Sequence, residues 1–149
     1  MRVSLLAALA AAVIWAVTAS AATVGCPAYA IGATTLRGTS SADVIRGCAG
    51  PDTLRGYAGN DRLEGRGGND FIFGGAGRDV LSGGSGNDKL DGGAGADTVR
   101  GGPGLDVIDA RDNSVDVVTC GPGRDLVLAD RHDRVARDCE QVRRTGGGP

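Results

Sequence analysis

Hydrophobic and polar positions repeat with a nine-residue period through the middle of the chain, from Gly38 to Asp109. A branched aliphatic residue fills the eighth position of every unit and is flanked by residues of variable polarity. These aliphatics are Ile45, Leu54, Leu63, Ile72, Leu81, Leu90, Val99 and Ile108. A single apolar residue between two outward-facing neighbours is typical of a short strand with one buried face. Because a fixed period indicates stacked units, the pattern predicts eight short strands around one internal apolar column.

Glycine separates these strands. It opens all eight units and fills the fourth position in seven of them. Glycines at positions one, two and four permit positive φ and therefore tight turns. In the fourth unit they fall at Gly65, Gly67 and Gly68, a small departure that we expect to keep the turn. Two units of opposite direction make one coil of eighteen residues, and strands of successive coils stack about 4.8 Å apart. The predicted fold is all-β, a parallel β-roll (β-solenoid) of nonapeptide repeats.

Aspartate occupies the sixth position of every unit. In an eighteen-residue coil, alternate units face opposite edges of the roll. One edge would carry Asp43, Asp61, Asp79 and Asp97, and the other Asp52, Asp70, Asp88 and Asp106. Like charges about 5 Å apart repel by roughly 3 kcal/mol at an effective dielectric constant near 20. We therefore expect a divalent cation between neighbouring turns on each edge.

Carboxylates and turn carbonyls are hard oxygen ligands, which favour calcium; magnesium demands a tighter octahedron. We expect up to six calcium ions, one for each adjacent aspartate pair on an edge. Backbone carbonyls would complete the sites, those of Gly56, Gly65, Gly74, Gly83, Gly92 and Gly101. The first unit has Thr39 and Ser41 where glycines are expected, so its site is the doubtful one. Because ordering a glycine-rich chain is entropically costly, we expect calcium binding to be coupled to folding.

Two other interpretations of the pattern remain. The first is a glycine-rich flexible linker with scattered acidic residues. A linker has no reason to keep aspartate and aliphatic columns in phase over eight periods. The second is a metal-free β-solenoid in which aspartate only caps the turns.

The units at residues 74–82 (GGAGRDVLS), 83–91 (GGSGNDKLD) and 92–100 (GGAGADTVR) fit the pattern G-G-x-G-x-D-x-U-x fully, where U is a large aliphatic. The chain thereby resembles the RTX, or hemolysin-type calcium-binding repeat, family of secreted bacterial proteins. The resemblance implies a parallel β-roll over about residues 29–142 whose turns hold calcium between aspartates of alternate repeats. Toxins and exoproteases of that family carry a large active domain and a C-terminal export signal. Their activities are therefore not expected here.

Residues 1–22 have the pattern of a secretory signal peptide: Arg2, an apolar stretch, and the A-x-A-like site Ala19–Ala21. The alternatives are an uncleaved anchor, or a lipoprotein signal ending at Cys26. No comparable apolar run follows, so no membrane span is expected after signal removal. The expected localisation is secreted, or extracellular.

Four cysteines allow three pairings. Cys120 and Cys139 are nineteen residues apart, close to one coil, and Cys26 and Cys48 are twenty-two apart. We therefore expect Cys26–Cys48 and Cys120–Cys139 disulfides that staple the two end caps; free thiols or a metal site are the alternative, disfavoured by export. The predicted segments are a signal peptide (1–22), an N-terminal cap rung (23–37), eight repeats (38–109), degenerate repeats with a C-terminal cap (110–142), and a disordered tail (143–149).

Charge and side-chain chemistry disfavour other functions. The net charge is −2 and no basic face is evident along the sequence, so nucleic-acid binding is not expected. His132 is the only histidine, and no nucleophile–base pair is evident, so we expect no enzyme activity. The preferred function is a secreted calcium-binding protein of structural or adhesive type with an unknown protein or cell-surface partner. An accessory domain that assists a separately encoded secreted enzyme is second, and a small secreted hydrolase is the weakest alternative.

Overall fold

The computed structural model describes residues 13–14, 21–26 and 32–145. The predicted signal peptide at 1–22 lies outside the described residues except for 13–14 and 21–22, and so do tail residues 146–149. The described residues form fifteen strands and no helix. None of them therefore forms a helix long and apolar enough to span a membrane.

Consecutive strands alternate between two sheets, and every strand pairs in parallel with its neighbours. The eight-stranded sheet contains β1 (Val13–Ile14), β3 (Thr34–Arg37), β5 (Asp52–Ala58), β7 (Phe71–Ala76), β9 (Lys89–Ala94), β11 (Val107–Ala110), β13 (Leu126–Ala129) and β15 (Gln141–Arg144). The seven-stranded sheet contains β2 (Thr23–Val24), β4 (Val44–Arg46), β6 (Arg62–Gly67), β8 (Val80–Ser85), β10 (Thr98–Arg100), β12 (Val117–Thr119) and β14 (Arg134–Val135). This topology confirms the predicted parallel β-roll.

The aliphatic column forms the core between the two sheets. Strands of successive coils pair at a separation of eighteen residues, so that Leu54 aligns with Ile72 and Ile72 with Leu90. All eight predicted aliphatics are at most 2% exposed. Each buried aliphatic side chain contributes about 1.5–3 kcal/mol by leaving water. The repeat period therefore places one core residue on each half coil.

The central strands are longer than the three residues predicted for each unit. Strand β6 has six residues and runs from Arg62 across the unit boundary to Gly67. The opening glycine of the unit, Gly65, is thus buried within an extended strand and does not take positive φ, which corrects the predicted role of position one. Positive φ occurs at positions two and four, as at Gly75 (117°) and Gly77 (139°). In the fourth unit Arg66 takes position two at a φ of 82°, so the turn is kept as expected.

After Asp109 the spacing slips but the stack continues. Val118 aligns with Val99 and Val127 with Ile108, each across nineteen residues, and both valines are fully buried. Strand β15 extends to Arg144, so the disordered tail predicted to begin at residue 143 is wrong for Arg143 and Arg144. The physical reason is that both residues pair with β13, and Arg144 Nη1 also donates to the Asp130 carbonyl at 2.6 Å.

Two disulfides lie near the ends of the roll. They join Cys26 to Cys48 and Cys120 to Cys139, each with a Cα–Cα distance of 5.1 Å. Both predicted pairings are therefore confirmed, and no cysteine in the described part of the chain is free. The free-thiol and metal-site alternatives do not apply. With its sulfur in a disulfide, Cys26 is also not free to carry a lipid.

Candidate metal centre

The eight predicted aspartates form two buried rows, one along each edge of the roll. Each is at most 2% exposed. Within a row, Oδ1 of one aspartate accepts the backbone N–H of the aspartate one coil earlier. Asp43 N–H donates to Asp61 at 2.8 Å, and Asp61 N–H donates to Asp79 at 2.7 Å. On the other edge, Asp70 N–H donates to Asp88 at 2.9 Å. The structure therefore brings together the carboxylates that the nine-residue period predicts.

Each row continues beyond the predicted aspartates, to Asp116 and then Asp133 on one edge and to Asp125 on the other. Asp97 N–H donates to Asp116 Oδ1 and Asp106 N–H donates to Asp125 Oδ1, both at 2.8 Å. Asp116 and Asp125 are fully buried. Both precede a strand whose core valine lies two residues further on, as in the repeats. An aspartate–x–aliphatic search that tolerates one inserted residue would have found them.

The second carboxylate oxygen, Oδ2, is unpaired in most of these side chains. It is buried without a hydrogen-bond partner in Asp61, Asp70, Asp79, Asp88, Asp97, Asp106, Asp116 and Asp125. A buried polar atom without a partner is costly, and more so when it carries charge. The hydrogen bonds between coils account for Oδ1 only. A metal-free solenoid therefore leaves Oδ2 without a partner in these eight aspartates.

The first two units differ from the rest. Asp43 Oδ2 accepts the Thr39 N–H at 2.5 Å and the Thr39 hydroxyl at 3.1 Å. Asp52 Oδ2 accepts the Cys48 N–H at 2.5 Å. Both oxygens therefore already have protein partners. This fits the expectation that the first unit is the weakest site and extends that expectation to the second.

Opening glycines line a narrow space beside each Oδ2. A Cβ on Gly47 would lie 2.5 Å from the Gly65 carbonyl oxygen and 2.7 Å from Asp52 Oδ2. The same two kinds of atom, the unit's own Oδ2 and the carbonyl of the opening glycine one coil later, surround Gly38, Gly56, Gly65, Gly74 and Gly83. All six predicted carbonyls, those of Gly56, Gly65, Gly74, Gly83, Gly92 and Gly101, take part. At Gly101 the carbonyl is that of Cys120.

This donor set suits one class of metal. Hard cations bind carboxylate and carbonyl oxygens, and calcium accepts six to eight of them in flexible geometry. At Gly56, Gly65, Gly74, Gly83 and Gly101 this space, the cradle, supplies one carboxylate oxygen without a partner and one carbonyl oxygen. A residue larger than glycine at its base would approach both oxygens closely. The residues present therefore fit a calcium ion.

Burial raises the pKa of seven aspartates in the rows, namely Asp61, Asp70, Asp79, Asp88, Asp97, Asp106 and Asp116. For Asp61, burial raises the pKa to about 6; the hydrogen bond from the Asp43 N–H opposes this shift, and the charges of Asp79 and Asp43 add to it. The pKa values rise to about 7 for Asp70 and Asp97, and to about 6 for Asp106 and Asp116. Near neutral pH, the aspartates of a row cannot all be ionised without a cost in free energy unless a cation neutralises them.

These shifts predict that the metal-free chain becomes more stable in acid. A carboxyl whose folded-state pKa is raised holds its proton more tightly when folded, so its contribution is present below its unfolded-state pKa of about 4 and is lost as the pH rises to about 7. We expect chain stripped of metal on a chelating resin to show more β-type circular dichroism at pH 5 than at pH 8. In calcium the trend should reverse, because protons compete with the ion for the same oxygens. A metal-free signal that rises with pH would contradict the assignment.

Comparison with known proteins identifies the repeats. A family model described as RTX calcium-binding nonapeptide repeat (4 copies) matches residues 37–72, 49–81 and 73–108. These segments together contain all eight predicted aspartates. A search of curated proteins finds no match, and neither does a search of solved structures.

Proposed function

Residues 37–108 make this chain a member of the RTX calcium-binding nonapeptide repeat family, and from that premise we propose that it is a secreted calcium-binding β-roll protein of structural or adhesive type. One observation carries the proposal. In eight aspartates, the buried Oδ2 has no hydrogen-bond partner. Those in repeats 3 to 6 face the carbonyl of the opening glycine of the next coil.

Each ion would lie at an edge of the roll between the turns of neighbouring coils. Its ligands would be Oδ2 from one coil and the opening-glycine carbonyl of the next. The pairs are Asp61 with Gly74, Asp70 with Gly83, Asp79 with Gly92 and Asp88 with Gly101; Asp106 would pair with the Cys120 carbonyl, and Asp43 and Asp52 with Gly56 and Gly65. A bound calcium ion supplies the positive charge that lets a row ionise. The up to six ions expected from the repeats stay a prediction, to which Asp116 and Asp125 add candidate ligands.

Secretion is supported by the cysteine chemistry. Both disulfides persist most readily in oxidising compartments outside the cytosol. Extracellular modules bind calcium with dissociation constants of about 0.1–1 mM, which suits sites that fill after export. The predicted signal peptide at residues 1–22 agrees with this location.

Nothing in the described residues favours catalysis. His132 Nδ1 lies 3.4 Å from Asp130 Oδ1, and its Nε2 accepts from Arg131 Nε. Neither neighbour is a nucleophile. We therefore retain the non-enzymatic interpretation over a small hydrolase. An accessory domain for a separately encoded enzyme would use the same calcium sites, and co-purification from culture medium would distinguish it.

Replacing two aspartates on one edge should remove ions from that edge only. In D79N/D97N the amide oxygens can still accept the backbone N–H groups of the row, but neither side chain offers an anionic Oδ2. We expect calcium stoichiometry to fall, with the sites of the opposite edge still occupied, as measured by isothermal titration calorimetry. The matched control is D91N/D109N, which removes the same charge from the outer face of the eight-stranded sheet. If D79N/D97N binds as many ions as the control, the assigned ligands are wrong.

A further inference from the structure

The outward face of the seven-stranded sheet is basic. Side chains that point away from the core on this sheet include five arginines: Arg46, Arg62, Arg66, Arg100 and Arg134. Among the described outward residues of this sheet, Glu64 is the one acid. These arginines are far apart in the sequence, so no basic face is evident there. The eighteen-residue register places three of them, Arg62, Arg66 and Arg100, on two strands that flank β8.

A trough runs along β8. Its floor is formed by residues with short side chains, including Val80 and Ser82. Arg62, Glu64 and Arg66 line the β6 side, and Arg100 lines the β10 side. Strands β6 and β10 are two spacings apart, about 9.6 Å. The trough is half open to solvent and has a volume of about 290 Å³, enough for a small polyatomic group and its water.

Positive charge dominates this trough. Glu64 is shared between two arginines, since its carboxylate lies 3.1 Å from Arg46 Nε and 2.7 Å from Arg62 Nη2. Arg66 Nη1 donates to the Gly47 carbonyl at 3.3 Å, a neutral partner. Within the described part of the chain, neither Arg66 nor Arg100 forms an ion pair. Both guanidinium groups are therefore available to an anion from solution.

We propose that this trough binds a sulfate or phosphate ester group. Arg62 and Arg66 approach from one wall, Arg100 from the other, and the Ser82 hydroxyl can donate from the floor. Donors that converge from several directions suit a tetrahedral oxyanion, whereas a carboxylate presents only two oxygens in one plane. No aromatic side chain is among the described outward residues of this sheet, so nucleobases have no surface to stack on.

The trough lies next to one row of buried carboxylates. Asp61, Asp79 and Asp97 directly precede β6, β8 and β10. An unneutralised row would repel an incoming anion, so cations in the row should favour oxyanion binding. This effect of the cations on oxyanion binding rests on the proposed calcium function. The test is therefore made in saturating calcium, with circular dichroism as a separate measure of folding.

The test compares two double variants of equal charge. R66A/R100A removes from each side of the trough the arginine that forms no ion pair, whereas R124A/R143A removes two exposed arginines that lie outside this face. The probe is a short fluorescein-labelled dextran sulfate, followed by fluorescence anisotropy, with neutral dextran as the blank. Because charge-assisted hydrogen bonds are strong, we expect R66A/R100A to bind at least about tenfold more weakly than the parent and R124A/R143A to change little. E64Q should bind severalfold more tightly, since it releases Arg46 and Arg62.

The remaining arms separate the sources of the group. Competition by inorganic sulfate would assign the site to the oxyanion itself. Binding of phosphatidylglycerol vesicles in preference to phosphatidylcholine vesicles, if it is lost in R66A, would identify a lipid headgroup as the source of that group, and its absence would identify the polymer. Equal weakening by the two double variants would overturn the proposal, because net charge alone would then explain binding. So would an unchanged affinity in R66A/R100A whose circular dichroism matches the parent. Loss of calcium-dependent folding in the parent would instead count against the calcium function.

Discussion

Removal of calcium is expected to abolish most of the β-type circular dichroism of the mature chain, and millimolar calcium is expected to restore it. The metal-free roll would hold two rows of buried carboxylates in which neighbouring charges repel by roughly 3 kcal/mol at about 5 Å and an effective dielectric constant near 20. It would also leave Oδ2 of each of eight aspartates without a partner. Folded domains are stable by only about 5–15 kcal/mol in total. A few such penalties exceed that margin.

Magnesium is the control for this experiment. It requires a near-ideal octahedron and releases its water reluctantly, so it should restore little of the signal at the same concentration. The disulfides must stay oxidised throughout, so that the change in circular dichroism is caused by the ion and not by loss of the disulfides. A spectrum that is the same in chelator and in calcium would show that the roll folds without the metal, and coupled folding would be wrong.

Gly65→Ala should cost far more stability than Gly67→Ala, although the two positions lie on the same strand. A methyl group on Gly65 would come within 3.0 Å of both Asp70 Oδ2 and the Gly83 carbonyl. It would therefore occupy the space where the proposed ligands converge. Overpacking of a rigid site costs about 1–3 kcal/mol, and loss of an ion adds to this. We expect the unfolding free energy in calcium to fall by about 3 kcal/mol or more.

Gly67→Ala is the matched control. Its methyl group would come close to the Ser85 hydroxyl at 3.2 Å, the end of a side chain that can rotate away, and would meet the Ser85 and Ala49 carbonyl oxygens at ordinary contact distances of 3.9 and 4.0 Å. Gly67 also does not have positive φ. We expect a change within about 1 kcal/mol, measured by denaturant unfolding in saturating calcium. Equal losses at the two positions would mean that the opening glycine is needed for strand geometry and not for the cradle.

The repeat period alone predicts the core and the positions of the eight aspartates. Two units of nine residues make one coil, so Ile72 must align with Leu54 once the sheets are parallel. The same arithmetic puts Asp61 beside Asp43 and Asp79. The disulfides follow from it as well, because nineteen residues between Cys120 and Cys139 is close to one coil. In a roll of this kind, residues that are one coil apart in the sequence are also neighbours in space.

Other features depend on three-dimensional contacts that spacing does not encode. The φ preferences alone assign the glycine at position one to a turn, yet Gly65 is needed because Asp70 and Gly83 occupy the space beside its Cα. Asp116 and Asp125 fall outside the period because a single residue is inserted between Asp106 and Asp116, which shifts both of them by one position. Their place in the rows is set by strand pairing, which absorbs the extra residue in the turn.

The hydrogen bonds of the aspartate rows all run in one direction. Asp61 N–H depends on Asp79, which belongs to the coil that follows it in the sequence, and Asp106 N–H depends on Asp125. A growing polypeptide therefore always ends in a turn whose N–H donors lack an acceptor, because that acceptor belongs to the next coil. Each coil can complete its hydrogen bonds only after the following coil has been synthesised. The final acceptors, Asp133 and Glu140, are synthesised last.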